Sequence, residues 1–339
     1  MVQSEIRPPR RVTLHGLPYF CGKLAGILKD PAWDVRYHAP HTLAGLAGLV
    51  ADLRRCELAF TWGARISIGK FLQAARWFGK EKIVMLWSGS DVLFAQRELA
   101  AGKMDSWAAE KIHWAVSPVL AEEVNSMGLN CEYVQVSFVD PVKTPAPLPE
   151  KFSVLVYVPS REKAELYGLD HILEVASALP KIDFTLVGWR EEQPVRGPSN
   201  LRTHGWASDL KPYLEQASVI WRPVRHDAGI SFMVLEALAQ GRHVLYSYPF
   251  AACVRVNDAG AARFELERLL ELHKSRRLSL NEEGIRTIEE SFRPANVRAT
   301  LFQKWGEILS PSAQRAAGSL GARNSRVDTH EVSVLAGPK

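Results

Sequence analysis

Short apolar runs alternate with segments of helical period through the first 140 residues of the chain. Residues 57–62, 82–87 and 132–138 are such apolar runs, whereas residues 43–55 and 67–79 show helical spacing. Apolar residues at nearly every position, rather than at every second one, are typical of parallel strands covered on both faces. The alternation therefore predicts a doubly wound α/β layer, in which a helix follows each strand.

A proline-rich stretch then interrupts this alternation. Residues 140–151 read DPVKTPAPLPEK, with four prolines and neither a helical nor a strand period. Such a segment favours an extended linker. Strands and helices resume after it, so we predict two Rossmann-like α/β domains, residues 1–140 and 152–293, joined by a linker at 141–151.

The end of the chain differs in composition from both halves. Residues 310–339 are rich in Ser, Ala, Gly, Arg and Asn and contain few large apolar side chains. Such a segment cannot bury enough apolar area to offset the entropy of ordering it. We therefore predict a disordered tail.

Composition narrows the class of protein. The chain has 339 residues, 47% of them apolar and 23% charged, which excludes wholesale disorder and a fibrous repeat. Its longest nearly uncharged apolar stretch, residues 42–51, is far shorter than the roughly 20 residues of a membrane-spanning helix. The N-terminus, MVQSEIRPPRR, has no apolar core, so we expect no secretory signal. Four scattered cysteines predict no metal cluster or disulfide framework and fit a reducing cytoplasm.

Residues 219–249 form the most informative segment, a strand, a loop and a helix. The formal charge of the whole chain, +5, allows an anionic partner but does not specify which one. Within this segment, a helix that begins at Ser231 offers free backbone N–H groups to a diphosphate. Glu236, inside that helix, could accept hydrogen bonds from ribose hydroxyls, and Arg225 and His226 in the loop would add positive charge. The alternative is an ordinary capped helix that happens to contain a glutamate.

Several segments together resemble one enzyme family. MVLEALAQGRHVL, from Met233 to Leu245, resembles the donor-binding signature of family-4 glycosyltransferases of GT-B architecture. GWASDLKPYLEQASVIWRP, FTLVGW and SREKAELYGLDHILEVASALP are similar to further segments of that family, in the family's order over about 100 residues. The resemblance implies two domains that face a cleft, and a last helix, residues 294–309, that returns to the first domain.

The resemblance also implies an activity. It is the transfer of a sugar from a UDP- or GDP-sugar to an acceptor hydroxyl, with retained anomeric configuration, no metal and no cofactor besides this co-substrate. The acceptor would be a sugar, a glycan, a lipid-linked sugar or a small molecule, and no nucleic acid is expected. The donor-binding residues would be Arg161, Lys163, Arg225, His226, Asp227, Gly229, Ile230, Ser231 and Glu236.

Two departures from the family pattern leave other functions open. The family often carries two glutamates eight residues apart, and Ala228 stands at the earlier position. Tyr167 falls near the family's phosphate-binding lysine, although Lys163 is close by. A non-catalytic protein that binds nucleotide sugars and a sugar-nucleotide epimerase of the same fold therefore remain alternatives.

The first half supplies the candidate acceptor and catalytic residues. Asp91 follows a predicted strand and would either orient or deprotonate an acceptor hydroxyl or cap the next helix. His15 would face either the cleft or solvent. The small residues that would let a substrate approach the backbone in these two turns are Gly16, Ser88, Gly89 and Ser90.

Residues 66–82 combine aromatic and basic side chains. They predict either a helix on a membrane surface, with Trp77 and Phe78 at the interface, or an ordinary helix packed on the sheet. The first alternative would place the protein at the inner face of the cytoplasmic membrane.

Overall fold

The structure, a computed structural model, describes residues 8–39, 41–226 and 231–310. The predicted tail lies outside the described residues apart from Ser310, as do Asp227, Gly229 and Ile230 of the predicted donor loop. No helix in the described ranges is long and apolar enough to cross a bilayer.

Six parallel strands form the first sheet, in the order β2-β1-β3-β4-β5-β6. The strands are β1 (Arg10–Gly16), β2 (Trp33–Tyr37), β3 (Leu58–Trp62), β4 (Ile83–Trp87), β5 (Ile112–Ala115) and β6 (Cys131–Tyr133). The helices between them are α1 (Pro18–Ile27), α2 (Leu43–Arg55), α3 (Lys70–Trp77), α4 (Ser90–Ala100), α5 (Ser106–Ala109) and α6 (Pro118–Ser126). Every residue of β3 and β4 is buried because helices cover both faces of the sheet.

A second parallel sheet follows, in the order β12-β11-β10-β7-β8-β9. Its strands are β7 (Ser153–Tyr157), β8 (Asp183–Val187), β9 (Leu201–Thr203), β10 (Val219–Arg222), β11 (His243–Tyr246) and β12 (Val254–Arg255). The remaining helices are α7 (Leu169–Ala178), α8 (Lys211–Glu215), α9 (Phe232–Ala239), α10 (Ala259–Lys274), α11 (Glu282–Ser291) and α12 (Pro294–Leu309). The predicted fold class, two doubly wound α/β layers, is therefore confirmed.

The strand expected over residues 132–138 is much shorter than predicted. β6 ends at Tyr133, and the chain then runs without strand pairing toward the second sheet. Gln135 holds this segment through its side chain, which accepts from the Tyr133 hydroxyl at 2.6 Å and donates to the Ser137 carbonyl at 2.8 Å. Residues 141–151, the predicted linker, likewise contain no strand or helix.

The last helix packs against the first sheet, although it follows the second in sequence. Trp305 of α12 is fully buried there, and its ring lies 5.7 Å from that of Trp33 and 5.9 Å from that of Phe60. Val297 and Leu301 belong to the same apolar core. The chain thus crosses between the two sheets twice.

The burial of Trp305 gives a test of this packing. We expect Trp305→Ala to destabilise the first domain by about 3–5 kcal/mol, because it removes a large core side chain and leaves a cavity. Urea denaturation measures this change. Trp77→Ala is the matched control, since Trp77 is 85% exposed in the same domain and its loss should alter stability by about 0.5 kcal/mol or less. Equal effects of the two substitutions would contradict the placement of α12.

Candidate functional site

A cavity of about 960 Å³ lies between the two sheets, at the carboxyl ends of their strands. Open α/β sheets bind ligands at this edge, and the volume suits a small organic ligand. Among the described residues, the Lys and Arg side chains that line it outnumber the Asp and Glu side chains by five to three. These charged lining residues are Lys23, Lys163, Arg190, Lys211, Arg222, Asp140, Asp209 and Glu236. The cavity therefore favours an anionic ligand.

Glu236 is the carboxylate best placed to hold such a ligand. It lies on α9, whose apolar residues are buried against the second sheet and leave Glu236 facing the cavity. Burial raises the pKa of Glu236, and the Lys23 ammonium, 3.7 Å away on α1, opposes this rise. Lys23 comes from the first domain, so this ion pair crosses the cleft.

Arg222 is a cavity residue that the sequence analysis did not single out. It is buried at the end of β10, and its guanidinium carbon lies 4.8 Å from the ring centre of Tyr167 and 5.5 Å from that of Tyr157. These cation–π contacts hold the side chain at the carboxyl end of the strand. Arg222 could have been identified from the sequence, because it is a charged residue at the end of an apolar strand.

The backbone brings Tyr167 close to β10 at one particular glycine. Gly168 has a φ of +65°, and a Cβ there would lie 2.0 Å from the Pro223 carbonyl oxygen. Only glycine tolerates both the left-handed conformation and this approach. The site around Arg222 therefore depends on a glycine in the loop before α7.

The predicted phosphate-binding cations divide into two groups. Lys163, in a short 3-10 turn, lines the cavity. Arg161 starts the same turn but is exposed and does not line it. Arg225 also lies outside the lining and is bonded to Asp170 and, at 3.2 Å, to Glu165. Among these three residues, the structure thus brings only Lys163 to the cavity.

His226 and Phe232, on either side of residues 227–230, both contact the first half of the chain. The His226 Nε2 atom lies 2.9 Å from Glu123 Oε2 on α6, and its Nδ1 atom is buried without a hydrogen-bond partner among the described residues. Phe232, the first residue of α9, packs against Phe20 and Phe138 at ring distances of 5.3 and 6.1 Å. Ser231, just before it, lines the cavity and makes no side-chain cap.

Arg190 and Trp206 form a cation–π pair at the cavity. The Arg190 guanidinium lies 4.2 Å from the ring centre of Trp206, and both residues line the cavity. Arg190 follows the turn after β8, and Trp206 follows β9, so the pair spans the ends of two neighbouring strands. A stacked arginine and indole of this kind can hold a planar ring.

Asp91 is the second residue of α4 and not its N-cap, which is Gly89, so the predicted N-cap role is wrong. Its carboxylate accepts backbone N–H groups from Ser88, Gly89 and Val92 at 2.8–3.1 Å, and from Ala64 at 3.3 Å. Burial raises the pKa of Asp91, and these backbone donors oppose that rise. The carboxylate thereby ties the β4–α4 turn to the end of β3.

Two of the four small residues predicted at these turns, Gly16 and Gly89, shape the backbone. Gly89 adopts a φ of +143° just before α4. Gly16 has a φ of +126°, and a Cβ there would lie 2.0 Å from the Trp62 carbonyl oxygen. Ser88 and Ser90 are the members of this group that line the cavity.

His15 lies outside the residues that line the cavity. Its ring stacks on Phe71 at 4.0 Å, and its Nδ1 atom lies 3.0 Å from the Thr61 hydroxyl. Burial lowers the pKa of His15 to about 4. The imidazole is therefore neutral at the pH of a cell.

Among the described residues, no three His, Cys, Asp or Glu side chains are grouped as ligands for a metal ion. His38, which the sequence places near His41, bonds to Asp52 at 2.5 Å.

Comparison with known proteins identifies the fold. No protein-family model matches this sequence, and no curated protein matches it. The solved structures that it resembles include HepE from Anabaena in complex with UDP-glucose, at 9% identity and a TM-score of 0.62, covering 88% of this chain and 99% of HepE. A glycosyltransferase from Rickettsia africae matches at 11% identity and a TM-score of 0.59, covering 90% of this chain and 100% of the other.

A longer relative in structure is TarM of S. aureus, solved as a mutant with UDP, fondaparinux and α-GlcNAc-glycerol. It matches at 10% identity and a TM-score of 0.52, and the alignment covers 77% of this chain but 59% of TarM. At sequence identities of 9–11%, these matches show a shared fold. The chain therefore has the two-domain architecture of GT-B glycosyltransferases, as the sequence motifs predicted.

The environment of His15 predicts a measurable titration. We expect its imidazole to titrate near pH 4 in ¹⁵N NMR spectra, with His15→Gln used to assign the signal. Because an unfolded chain binds this proton near pH 6.5, the stability that neutral His15 contributes should be lost as the pH falls from about 6.5 to about 4. His15→Gln should remove that part of the pH dependence. A midpoint near 6.5 in the folded protein would contradict the burial described here.

Proposed function

We propose that this protein is a glycosyltransferase that transfers a sugar from a nucleoside diphosphate sugar to an acceptor hydroxyl. The observation that carries the proposal is the cationic cavity between the carboxyl ends of two parallel sheets, with Glu236 inside it. The solved structures with UDP or UDP-glucose named above support a UDP-sugar as the donor to test first, with a GDP-sugar as the alternative.

The second domain would bind most of the donor. Glu236 would accept hydrogen bonds from the ribose hydroxyls, and Lys163, Arg222 and the N–H groups at the start of α9 would face the diphosphate. An arginine can hold phosphate oxygens with two parallel hydrogen bonds. The Arg190–Trp206 pair would stack on the base.

The same cations would promote the reaction. Negative charge develops on the leaving diphosphate as the sugar departs, and fixed donors aimed at that charge stabilise the transition state. We assign this stabilisation to Lys163 and Arg222, without a metal ion. Retention of the anomeric configuration is part of the proposal, and NMR of the product's anomeric proton tests it.

Without a donor bound, Lys23 pairs with the Glu236 carboxylate and would compete with the ribose for it. Its ammonium lies 3.7 Å from Glu236 and also faces the rings of Tyr19 and Phe232, at 4.7 and 5.2 Å. A ribose that bonds to Glu236 would displace or share this contact. Donor binding would thereby alter an interaction that joins the two domains.

The first domain would hold the acceptor beside Ser88 and Ser90, whose turn Asp91 stabilises. Both oxygens of Asp91 already accept backbone N–H groups, so removing a proton from an acceptor would disturb this turn. We therefore give Asp91 a positioning role.

Sugars, glycans, lipid-linked sugars and small molecules are the acceptor classes to test. The four cysteines, all free thiols, support a place in the cytoplasm.

A turnover assay separates this proposal from its two rivals. The chain is incubated with UDP- and GDP-sugars, with and without a panel of acceptors, and nucleotide release and sugar identity are followed. Nucleotide release that depends on an acceptor is the expected result. Donor binding without release would favour a non-catalytic binding protein, and conversion of the sugar without any acceptor would favour an epimerase.

Glu236 provides the sharpest mutational test of the donor site. We expect Glu236→Ala to weaken UDP-glucose binding by about 10- to 100-fold, because hydrogen bonds to a charged group are worth about 1.5–3 kcal/mol. Isothermal titration calorimetry at mildly alkaline pH, where the carboxylate is ionised, measures this loss.

Lys23→Met is the matched control for that substitution. It breaks the same ion pair but leaves the carboxylate in place, so donor affinity should be kept or increased. Equal losses in both variants would mean that the ion pair, and not the carboxylate, supports binding. Unchanged affinity in Glu236→Ala would exclude Glu236 from the donor site.

A further inference from the structure

Helix α2 exposes apolar side chains where a surface helix normally carries polar ones. Its first nine residues, LAGLAGLVA, include no polar side chain. Leu43, Leu46 and Val50 are 88%, 47% and 37% exposed, and their spacing places them along one stripe. Leu49 and Leu53, on the inner side, are buried. The helix is thus apolar on both faces over its first half, which is typical of a helix that is covered by something.

The stripe continues onto the neighbouring helix. α2 and α3 pack side by side, and the Arg54 guanidinium near the end of α2 lies 5.9 Å from the ring centre of Phe78, just after α3. Phe78 stacks with Trp77, which projects into solvent. We call Leu43, Leu46, Val50, Arg54, Arg55 and Trp77 the α2–α3 surface.

The charge of this surface is of one sign. Residues 66–80 contain no acidic residue, and the one acid within 41–55, Asp52, is buried and bonded to His38 and Arg36. Arg54 and Arg55, in contrast, are exposed. An occupant of the α2–α3 surface must therefore offer apolar material and negative charge together.

We propose that the α2–α3 surface binds an anionic lipid membrane. Leucine, valine and tryptophan side chains enter the boundary between headgroups and acyl chains, while arginines contact anionic headgroups. A second copy of this chain is the alternative occupant, and the experiment below distinguishes it from a membrane. Membrane binding of this kind is independent of sugar transfer.

The position of the surface relates the membrane to the cleft. Thr42 is the N-cap of α2, and its hydroxyl accepts the Gly45 N–H at 3.0 Å. The helix therefore starts beyond the carboxyl end of β2. The helix then runs back along the first sheet, so its apolar first turns lie toward the edge at which the cavity opens. A chain docked through these turns would hold the first domain's side of the cleft near the lipid.

Vesicle sedimentation tests the proposal with the full chain. The probes are phosphatidylcholine vesicles with and without phosphatidylglycerol. We expect binding to the anionic vesicles, and a loss of at least about tenfold in the triple variant Leu43→Ser, Leu46→Ser, Trp77→Ala, which removes exposed apolar groups. Replacing Arg54 and Arg55 by Gln should lower the preference for anionic vesicles by about fivefold for each residue.

Phe264→Ser is the matched control, since Phe264 is 69% exposed on α10 of the second domain. It should bind vesicles like the unaltered chain, and circular dichroism should show all variants folded. Absence of binding to both vesicle types would overturn the proposal. Undiminished binding by the triple variant would also overturn it, because the substituted side chains of the α2–α3 surface would then not carry the binding. A concentration-dependent dimer that the triple variant abolishes, without vesicle binding, would assign the surface to a second copy.

Discussion

The facing of two parallel sheets is the constraint on which the rest of this structure depends. In a parallel sheet every strand ends at the same edge, and the loops and helix starts gather there. The linker and α12 join two such sheets so that both edges border one cavity. Residues far apart in sequence, such as Lys23 and Glu236, become neighbours for this reason alone. The chemistry of the cavity is thus a property of the pair of domains.

The described contacts across the cavity are both polar and aromatic. Lys23 meets Glu236, Glu123 meets His226, and Phe232 lies among aromatic side chains of the first domain and the segment after it. Two of these contacts use residues that would also face the donor. Binding and domain closure are therefore coupled in this account, because a ligand at Glu236 competes with a contact that holds the domains together.

Much of the fold could be predicted from the sequence because it depends on local pattern. The bounds of α2 and α12 follow from helical spacing, and the proline-rich stretch marks the boundary between the sheets. The strand expected over 132–138 was too long because its apolar residues Val134, Val136 and Phe138 are buried even though the chain has left the sheet. A run of apolar residues indicates that a segment is buried, but burial alone does not show that the segment pairs with a neighbouring strand.

The site was less predictable from the sequence, because it depends on where each side chain points and on its partners across the cleft. Arg222 and Arg225 lie three residues apart, yet one lines the cavity and the other bonds to Glu165 and Asp170. No local pattern distinguishes them. Glu236, in contrast, was identified as a candidate from its position inside a helix that follows a strand and a loop, and the structure brings it to the cavity. Its partner Lys23 could not be found in this way.

Hydrogen–deuterium exchange with and without UDP-glucose tests most directly whether the donor occupies the cleft through the second domain. Slower exchange is predicted for the segments that carry Lys163, Arg190 and Trp206 and for the first turns of α9, with smaller changes in α1 around Lys23. A second cavity, of about 850 Å³, is bordered by residues 147–152 and 278–280 and lies away from both strand edges described above. Protection confined to that cavity, or absent from the whole chain at saturating ligand, would contradict the account.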